Sequence, residues 1–322
     1  MKRRPGIARA CACLRGEQMT FWEVFLQQLF NGLLIGSFYG LVAIGYSMVY
    51  GIIKLLNFAH ADIYMSGAFC GLIFLSVFAP TIGNTWLGIV VALLISMLLV
   101  GLLGVVIQRV AYRPMLKAPR LSILITALAV SMLLYNSVLL LTQGQARAFQ
   151  TGLTNENFYI GALRMTETRA VLLIAAMVLM LLLHLFITKT MYGKAMRAIA
   201  LDRDTCQLMG INVYKIISIT FFVGSALAAA AGIMAGVYYG SVHYFMGFII
   251  GLKAFTAAVI GGIGIIPGAM LGGLFLGLLE AFATQIPFIG TIWKDVFSFV
   301  FLIMFLIFKP TGILGRIESE RM

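Results

Sequence analysis

Apolar runs alternate with short polar or basic turns along almost the whole chain. They fall at 24–52, 58–79, 86–107, 121–142, 170–188, 215–239, 247–266, 268–286 and 295–309. A helix of about 20 apolar residues crosses a hydrocarbon core about 30 Å thick. Backbone groups in lipid must be satisfied internally, so helices are the expected form. The pattern predicts an all-α, polytopic integral membrane bundle of about eight to nine transmembrane segments. The first run is long enough to tilt or to contain its own turn. The polar stretch Gln143 to Thr168 is the one sizeable loop expected outside.

Composition strengthens this picture. Of 322 residues, 61% are hydrophobic and 11% charged, with a mean hydropathy of +1.02. Soluble domains carry about 25% charged residues. Such a chain cannot be solvated on its outside, which excludes a soluble enzyme, a nucleic-acid binder and a secreted disulfide scaffold. The four cysteines, Cys11, Cys13, Cys70 and Cys206, form neither a metal spacing nor a disulfide framework.

The net charge is +12, and its placement matters more than its size. Arg109, Arg113, Lys117 and Arg120 fall in 108–120 without an acid, and 189–215 holds a second basic cluster. Basic short loops mark the cytoplasmic side, so the charge reports topology rather than nucleic acid. Three full spans before the first basic loop would place the start of the chain outside. A basic start inside would instead require a broken or re-entrant segment.

Residues 1–18 are basic but have no apolar centre, so they do not form a secretory signal peptide. They are expected to be a start-site extension ahead of Met19. Residues 19–316 are expected to form the membrane domain, and 317–322 a short cytoplasmic tail.

Glycine recurs at four-residue intervals: Gly32, Gly36 and Gly40; Gly232, Gly236 and Gly240; Gly264, Gly268 and Gly272; Gly273 and Gly277; Gly67 and Gly71. Residues four apart share a helix face, and small residues let helices approach closely in lipid. These faces are expected to build a compact bundle. Met48–Gly51 and Val237–Gly240 each close a glycine-rich run, which raises either an internal repeat or a chance match.

No familiar catalytic motif is present. His60, His184 and His243 lack zinc spacing, no Gly-x-Ser-x-Gly elbow occurs, and Gly193-Lys194 is followed by Ala195 rather than completing a P-loop. Polar residues within apolar runs are the remaining candidates. Asn57, His60 and Asp62 form either a helix-capping turn or part of a cavity or gate. Lys253 and Glu280 lie in adjacent runs and could pair. All five are candidates for a translocation path.

The segment Met191 to Val213 is amphipathic. A break at Asp202–Asp204 can cap a second short helix, with Gly210 terminating it. A surface helix on lipid headgroups is one reading, and a rigid docking element is the favoured one. Gly193, Arg197, Asp202, Gly210 and Ile211 are its candidate residues.

At this point the chain resembles the branched-chain amino acid permease family of ATP-binding-cassette importers. Six ordered blocks carry the likeness: FLQQLFNGLLIGSFYGLVAIGYSMVYGII, LNFAHADIYM, RVAYRP, GKAMRAIALDRDTCQLMGIN, GLKAFTAAVIGGIGIIPGAMLGGLFLG and KPTGILGR. Residues 1–18 lie outside them. The resemblance implies a non-enzymatic permease of the bacterial cytoplasmic (inner) membrane, carrying leucine, isoleucine and valine. Its implied partners are a second homologous permease subunit, two cytoplasmic ATP-binding subunits and an extracytoplasmic substrate-binding protein. The only nucleotide implied is ATP held by the partner subunits, with no cofactor or metal on this chain. Arg197 would meet acidic groups or helix ends on the ATPase, and Ile211 would enter a pocket there. Relatives of the same class serve urea, short amides or other amino acids. A self-sufficient channel or an ion-coupled carrier is the reading from another class.

Overall fold

The nine apolar runs become nine helices, and the amphipathic segment adds two short ones. The structure, a computed structural model, describes residues 21–54, 56–82, 85–115, 118–151, 157–160, 163–286 and 293–315. The leader 1–18 and the tail 317–322 lie outside the described residues.

In chain order the helices are α1 (Phe21–Ile53), α2 (His60–Ile82), α3 (Thr85–Ile107), α4 (Arg120–Thr142), α5 (Glu167–Lys189), α6 (Met191–Leu201), α7 (Arg203–Leu208), α8 (Val213–Tyr239), α9 (Met246–Gly261), α10 (Ile266–Ala283) and α11 (Lys294–Phe308). A π-helical turn, Gln108–Tyr112, prolongs α3. Among the described residues, seven helices are long and apolar enough to cross a membrane: α1 to α5, α8 and α10. The runs at 247–266 and 295–309 make shorter helices of 16 and 15 residues. The structure is therefore the all-helical, polytopic bundle expected.

The stretch Gln143–Thr168 is not only loop. Two-residue strand β1 (Arg147–Ala148) pairs with β4 (Ser241–Val242), and β2 (Asn157–Ile160) forms a hairpin with β3 (Leu163–Thr166).

Glycine faces bring the central helices together. On α1, Gly32, Gly36 and Gly40 face α10. A Cβ at Gly277 would stand 2.2 Å from Gly36 Cα, and one at Gly273 would stand 2.3 Å from Gly40 Cα. Only glycine on both sides permits that backbone contact, which in lipid supplies the van der Waals packing holding helices together. Gly268 and Gly272 of α10 meet the backbone of α9 at Gly261 and Ala257 in the same way. The proposed face Gly264–Gly268–Gly272 is corrected at its first member. The run 247–266 is not one helix: α9 stops at Gly261, and Gly262 (φ 105°) and Gly264 (φ 88°) turn the chain into α10. Gly240 likewise caps α8 with φ 69° rather than extending the Gly232–Gly236 face.

Packing partners recur in two halves. Helix α8 packs on α2 and α3, as α1 packs on α9 and α10. The pairs α2–α3 and α9–α10 correspond, as do α2–α4 and α9–α11. Each half opens with a long helix ending at the paired sequences Met48–Gly51 and Val237–Gly240. Non-helical residues follow, 54 and 56–59 in one half and 240–245 in the other, leading to the next helix. Because α1 and α8 run in opposite directions, the equivalence is inverted, and the internal-repeat reading of those sequences fits it.

The residues after α1 also set how the first two helices meet. Arg203 donates to Ile52 O from Nε at 3.2 Å and Nη2 at 2.7 Å, so α1 reaches the end of the bundle that carries α6 and α7. The chain then climbs back, and α2 begins with His60 against Gly45 and Gly224. Gly45 is eight residues from the end of α1, about 12 Å along the axis. Such backbone at depth is tolerated when protein surrounds it, and Asn57, Ala59 and His60 are buried.

Candidate functional site

Three layers of polar residues interrupt the apolar bundle. The outermost lies at the end away from α6 and α7, where α1, α8, α9 and α11 enclose a cavity of about 350 Å³. Tyr39, Tyr64 and Tyr239 line it beside Lys253, Lys294 and Asp295, while Met246, Ile249 and Ile250 supply an apolar side. Ligand pockets occupy about 300–1,000 Å³ and combine apolar walls with a few placed polar groups.

Helical geometry brings the charges together from three separate helices. Lys253 of α9 points inward, because Gly247 and Gly251 put the other side of that helix flush against Ala61 of α2. Lys253 Nζ donates to Glu280 Oε1 at 3.0 Å and Oε2 at 3.1 Å, and to Tyr39 Oη at 3.2 Å. Tyr39 Oη in turn donates to Glu280 Oε2 at 2.8 Å. Asp295 Oδ1 lies 2.6 Å from Lys253 Nζ, and Lys294 Nζ lies 3.2 Å from Glu280 Oε1. The four charges balance. Side chains of Lys253 and Glu280 are each 3% exposed, whereas Asp295 is 40% exposed. One side of the network is sealed and the other faces the cavity. The two residues singled out in the sequence are thus a buried pair. Tyr39, Lys294 and Asp295 escaped notice. A phenol inside an apolar run carries no pattern of its own, and an acid opening a helix reads as a dipole partner.

The middle layer holds Asn57, His60 and Asp62. Tyr112 Oη donates to Asn57 Oδ1 at 2.5 Å, and Ser131 Oγ of α4 donates to Asp62 Oδ2. The His60 ring stands 4.9 Å from that of Tyr46, and its buried Nε2 has no hydrogen-bond partner among the described residues. Asp62 occupies the first turn of α2, where a helix dipole favours an acid. It also borders a small cavity of about 60 Å³ with Tyr46, Ser131 and Gly251. Asp62 thus sits at a helix start and beside a cavity. This layer is separate from the Lys253–Glu280 network.

The third layer is the helical elbow α6–α7. Thr190 Oγ1 accepts from Gly193 N at 3.1 Å to start α6. Asp202 accepts from Asp204 N at 2.9 Å and Thr205 N at 3.2 Å to start α7. The Thr205 hydroxyl, then its amide, hold the Asp202 carboxyl below its ordinary value of 3.8. Gly210 follows α7 with φ 82°, and a Cβ there would meet no atom within 4 Å. Gly193 fits tightly against the end of α5, where a Cβ would stand 2.1 Å from Ile187 O.

Ile211 is half-buried, while Arg197 stays exposed and reaches back to the bundle with one nitrogen. Arg197 Nη1 donates to Ile187 O at 2.7 Å, closing the end of α5, and Ile211 packs on the core. The outward groups are Leu201, Leu208 and Met209, 90%, 88% and 77% exposed. Arg203, which ties α7 to α1, was also missed, because between two acids it reads as ordinary loop charge.

The comparisons with known proteins agree with this architecture. A family model described as the permease component of the branched-chain amino acid transport system matches residues 28–307. The high-affinity branched-chain amino acid permease LivH of Salmonella typhimurium is 43% identical over 303 residues, covering 92% of this chain and 97% of that one. BraD of Pseudomonas aeruginosa, also named a high-affinity branched-chain amino acid permease, is 44% identical over 303 residues, 92% of this chain and 98% of its own. A LivH relative of Methanocaldococcus jannaschii is 27% identical over 85% of this chain. With the family model spanning most of the bundle and these relatives matched nearly end to end, the chain belongs to the branched-chain amino acid transport permeases.

Proposed function

We propose that this chain is one membrane-path subunit of an ATP-driven importer of leucine, isoleucine and valine in a bacterial cytoplasmic membrane. It works with a second, homologous permease, two ATP-binding subunits and an extracytoplasmic binding protein. The observation that carries this reading, beyond family membership, is the elbow α6–α7. Large apolar side chains left in the open are unusual on a segment this polar, and they suit a protein partner. The elbow is also bound to the bundle at two points, Arg197 to α5 and Arg203 to α1.

Those two contacts give a mechanical route. When the ATP-binding subunits close, the elbow moves with them and displaces the ends of α1 and α5. Helix α1 carries Tyr39 into the charge network at the far end, so a shift of α1 changes the partners of Lys253 and Glu280. ATP chemistry stays on the partner subunits, and this chain catalyses no reaction. The substrate is a zwitterion with an apolar tail. The far cavity offers balanced charges, tyrosine hydroxyls and the isoleucine-lined side that such a molecule needs.

The elbow is tested in the assembled complex. Leu208→Ala with Met209→Ala should lower binding-protein-stimulated ATPase activity about tenfold or more, as truncating interface anchors does. Insertion into the membrane and pairing with the second permease should be unchanged. Undiminished stimulation would show that the elbow is only a linker.

A further inference from the structure

A cavity of about 470 Å³ lies where the end of α3 meets the start of α8, outside the three polar layers. Three cations line it, Arg109, Arg113 and Lys215, with Val105, Ile219 and Phe222 on the inner side and no acid. Arg109 and Arg113 come from the π-helical turn and the residue after it, a distortion that often marks functional positions. The Arg113 guanidinium lies 4.9 Å from the centre of the Tyr214 ring, which fixes it at the rim. Ser218, also in the wall, donates to Gln108 Oε1 at 2.8 Å, and Gln108 Nε2 behind it is buried with no protein acceptor.

The surface leading to this cavity has a second character. On α3, Leu94, Leu98, Leu102 and Val106 recur every four residues and are 59%, 53%, 49% and 54% exposed. That stripe runs along the helix directly into Arg109 and Arg113. An apolar track ending in a cluster of cations, with no acid among the described residues that line it, matches an amphiphile with an anionic head. Basic pockets between membrane helices on the cytoplasmic side bind anionic headgroups, and 108–120 is the loop whose charge marks that side.

We propose that this is a binding site for an anionic phospholipid, its phosphate among Arg109, Arg113 and Lys215 and an acyl chain along Leu102 and Leu98. Free phosphate shares the headgroup chemistry but has no use for the stripe. An acidic surface of an ATP-binding subunit would pair with the cations but would not need the apolar inner wall.

The test is native mass spectrometry of the full chain in uncharged detergent, titrated with phosphatidylglycerol or phosphatidylcholine. Phosphatidylglycerol should be retained preferentially, and Arg109→Gln and Arg113→Gln should each weaken it about fivefold. Phosphatidylcholine binding should not change, and the lysine variants of both positions should retain most of the preference. Equal retention of the two lipids by the unaltered chain would overturn the proposal whatever the variants do. Displacement of phosphatidylglycerol by inorganic phosphate at comparable concentration would make this a free-anion site. Its loss on assembly with the ATP-binding subunits would assign the cations to that interface. Either result also overturns the proposal.

Discussion

Lys253 and Glu280 show what a buried ion pair demands. Removing one partner leaves a charge in a dry site, at a cost of about 3–5 kcal/mol, whereas replacing both with apolar residues is often neutral. Glu280→Ala should therefore lower the melting temperature of the purified chain strongly. Lys253→Met combined with Glu280→Leu should recover most of it, because no charge is left in the sealed part, and Asp295 and Lys294, which lose their partners there, are 40% and 32% exposed. If the network serves transport, the double variant stays folded and fails to carry substrate. A folded double variant with full uptake would mark the pair as purely structural. At Gly277 the added methyl of an alanine would meet Gly36 Cα. Gly277→Ala should destabilise the bundle by about 1–3 kcal/mol, the usual cost of overpacking, read as a lower melting temperature. Asp202 gives a prediction with a sign. Its carboxyl is held below the ordinary value by Thr205 first and by Asp204 N. Its contribution is therefore fully present above that ordinary value and is lost as pH falls through the depressed one. Amide exchange at Asp204 and Thr205 should accelerate only in that acid range, and in Asp202→Ala it should be fast at every pH.

At the scale of elements, the elbow depends on one backbone conformation. Gly210 has φ 82° with open space around it, so a side chain there meets strain rather than a clash. Gly210→Val should cost about 1–3 kcal/mol of local strain and uncouple ATPase stimulation, while Gly210→Asn, which tolerates that region, should retain most of it. Equal effects would show that bulk, not φ, matters. This elbow was legible in the sequence, because caps and terminating glycines are local signals that act within four residues. The nine apolar helices were legible for the same reason. Which residues of the elbow face outward was not. Arg197 is an exposed charge that also closes α5, a contact nothing local announces, and Leu208 and Met209 are apolar yet exposed. Sidedness of a short helix depends on contacts with α1 and α5, which are distant in sequence. The same limit applies to the far cavity. Lys253 and Glu280 stand out as charges in apolar runs, but Tyr39 joins them only through the α1–α10 glycine contact.

Across the whole molecule, the two halves place a polar cluster at one end and the α6–α7 elbow at the other, with α1 touching both. Repeat architecture of this inverted kind lets one half rock against the other around a fixed site. On the proposed function, the chain moves substrate only when partner subunits drive it. The most direct measurement is uptake of labelled leucine into proteoliposomes holding either this chain alone or the complete set of subunits and binding protein. ATP-dependent accumulation is expected in the complete set and none with the chain alone, even under an imposed proton or sodium gradient. Gradient-driven accumulation by the chain alone would contradict it.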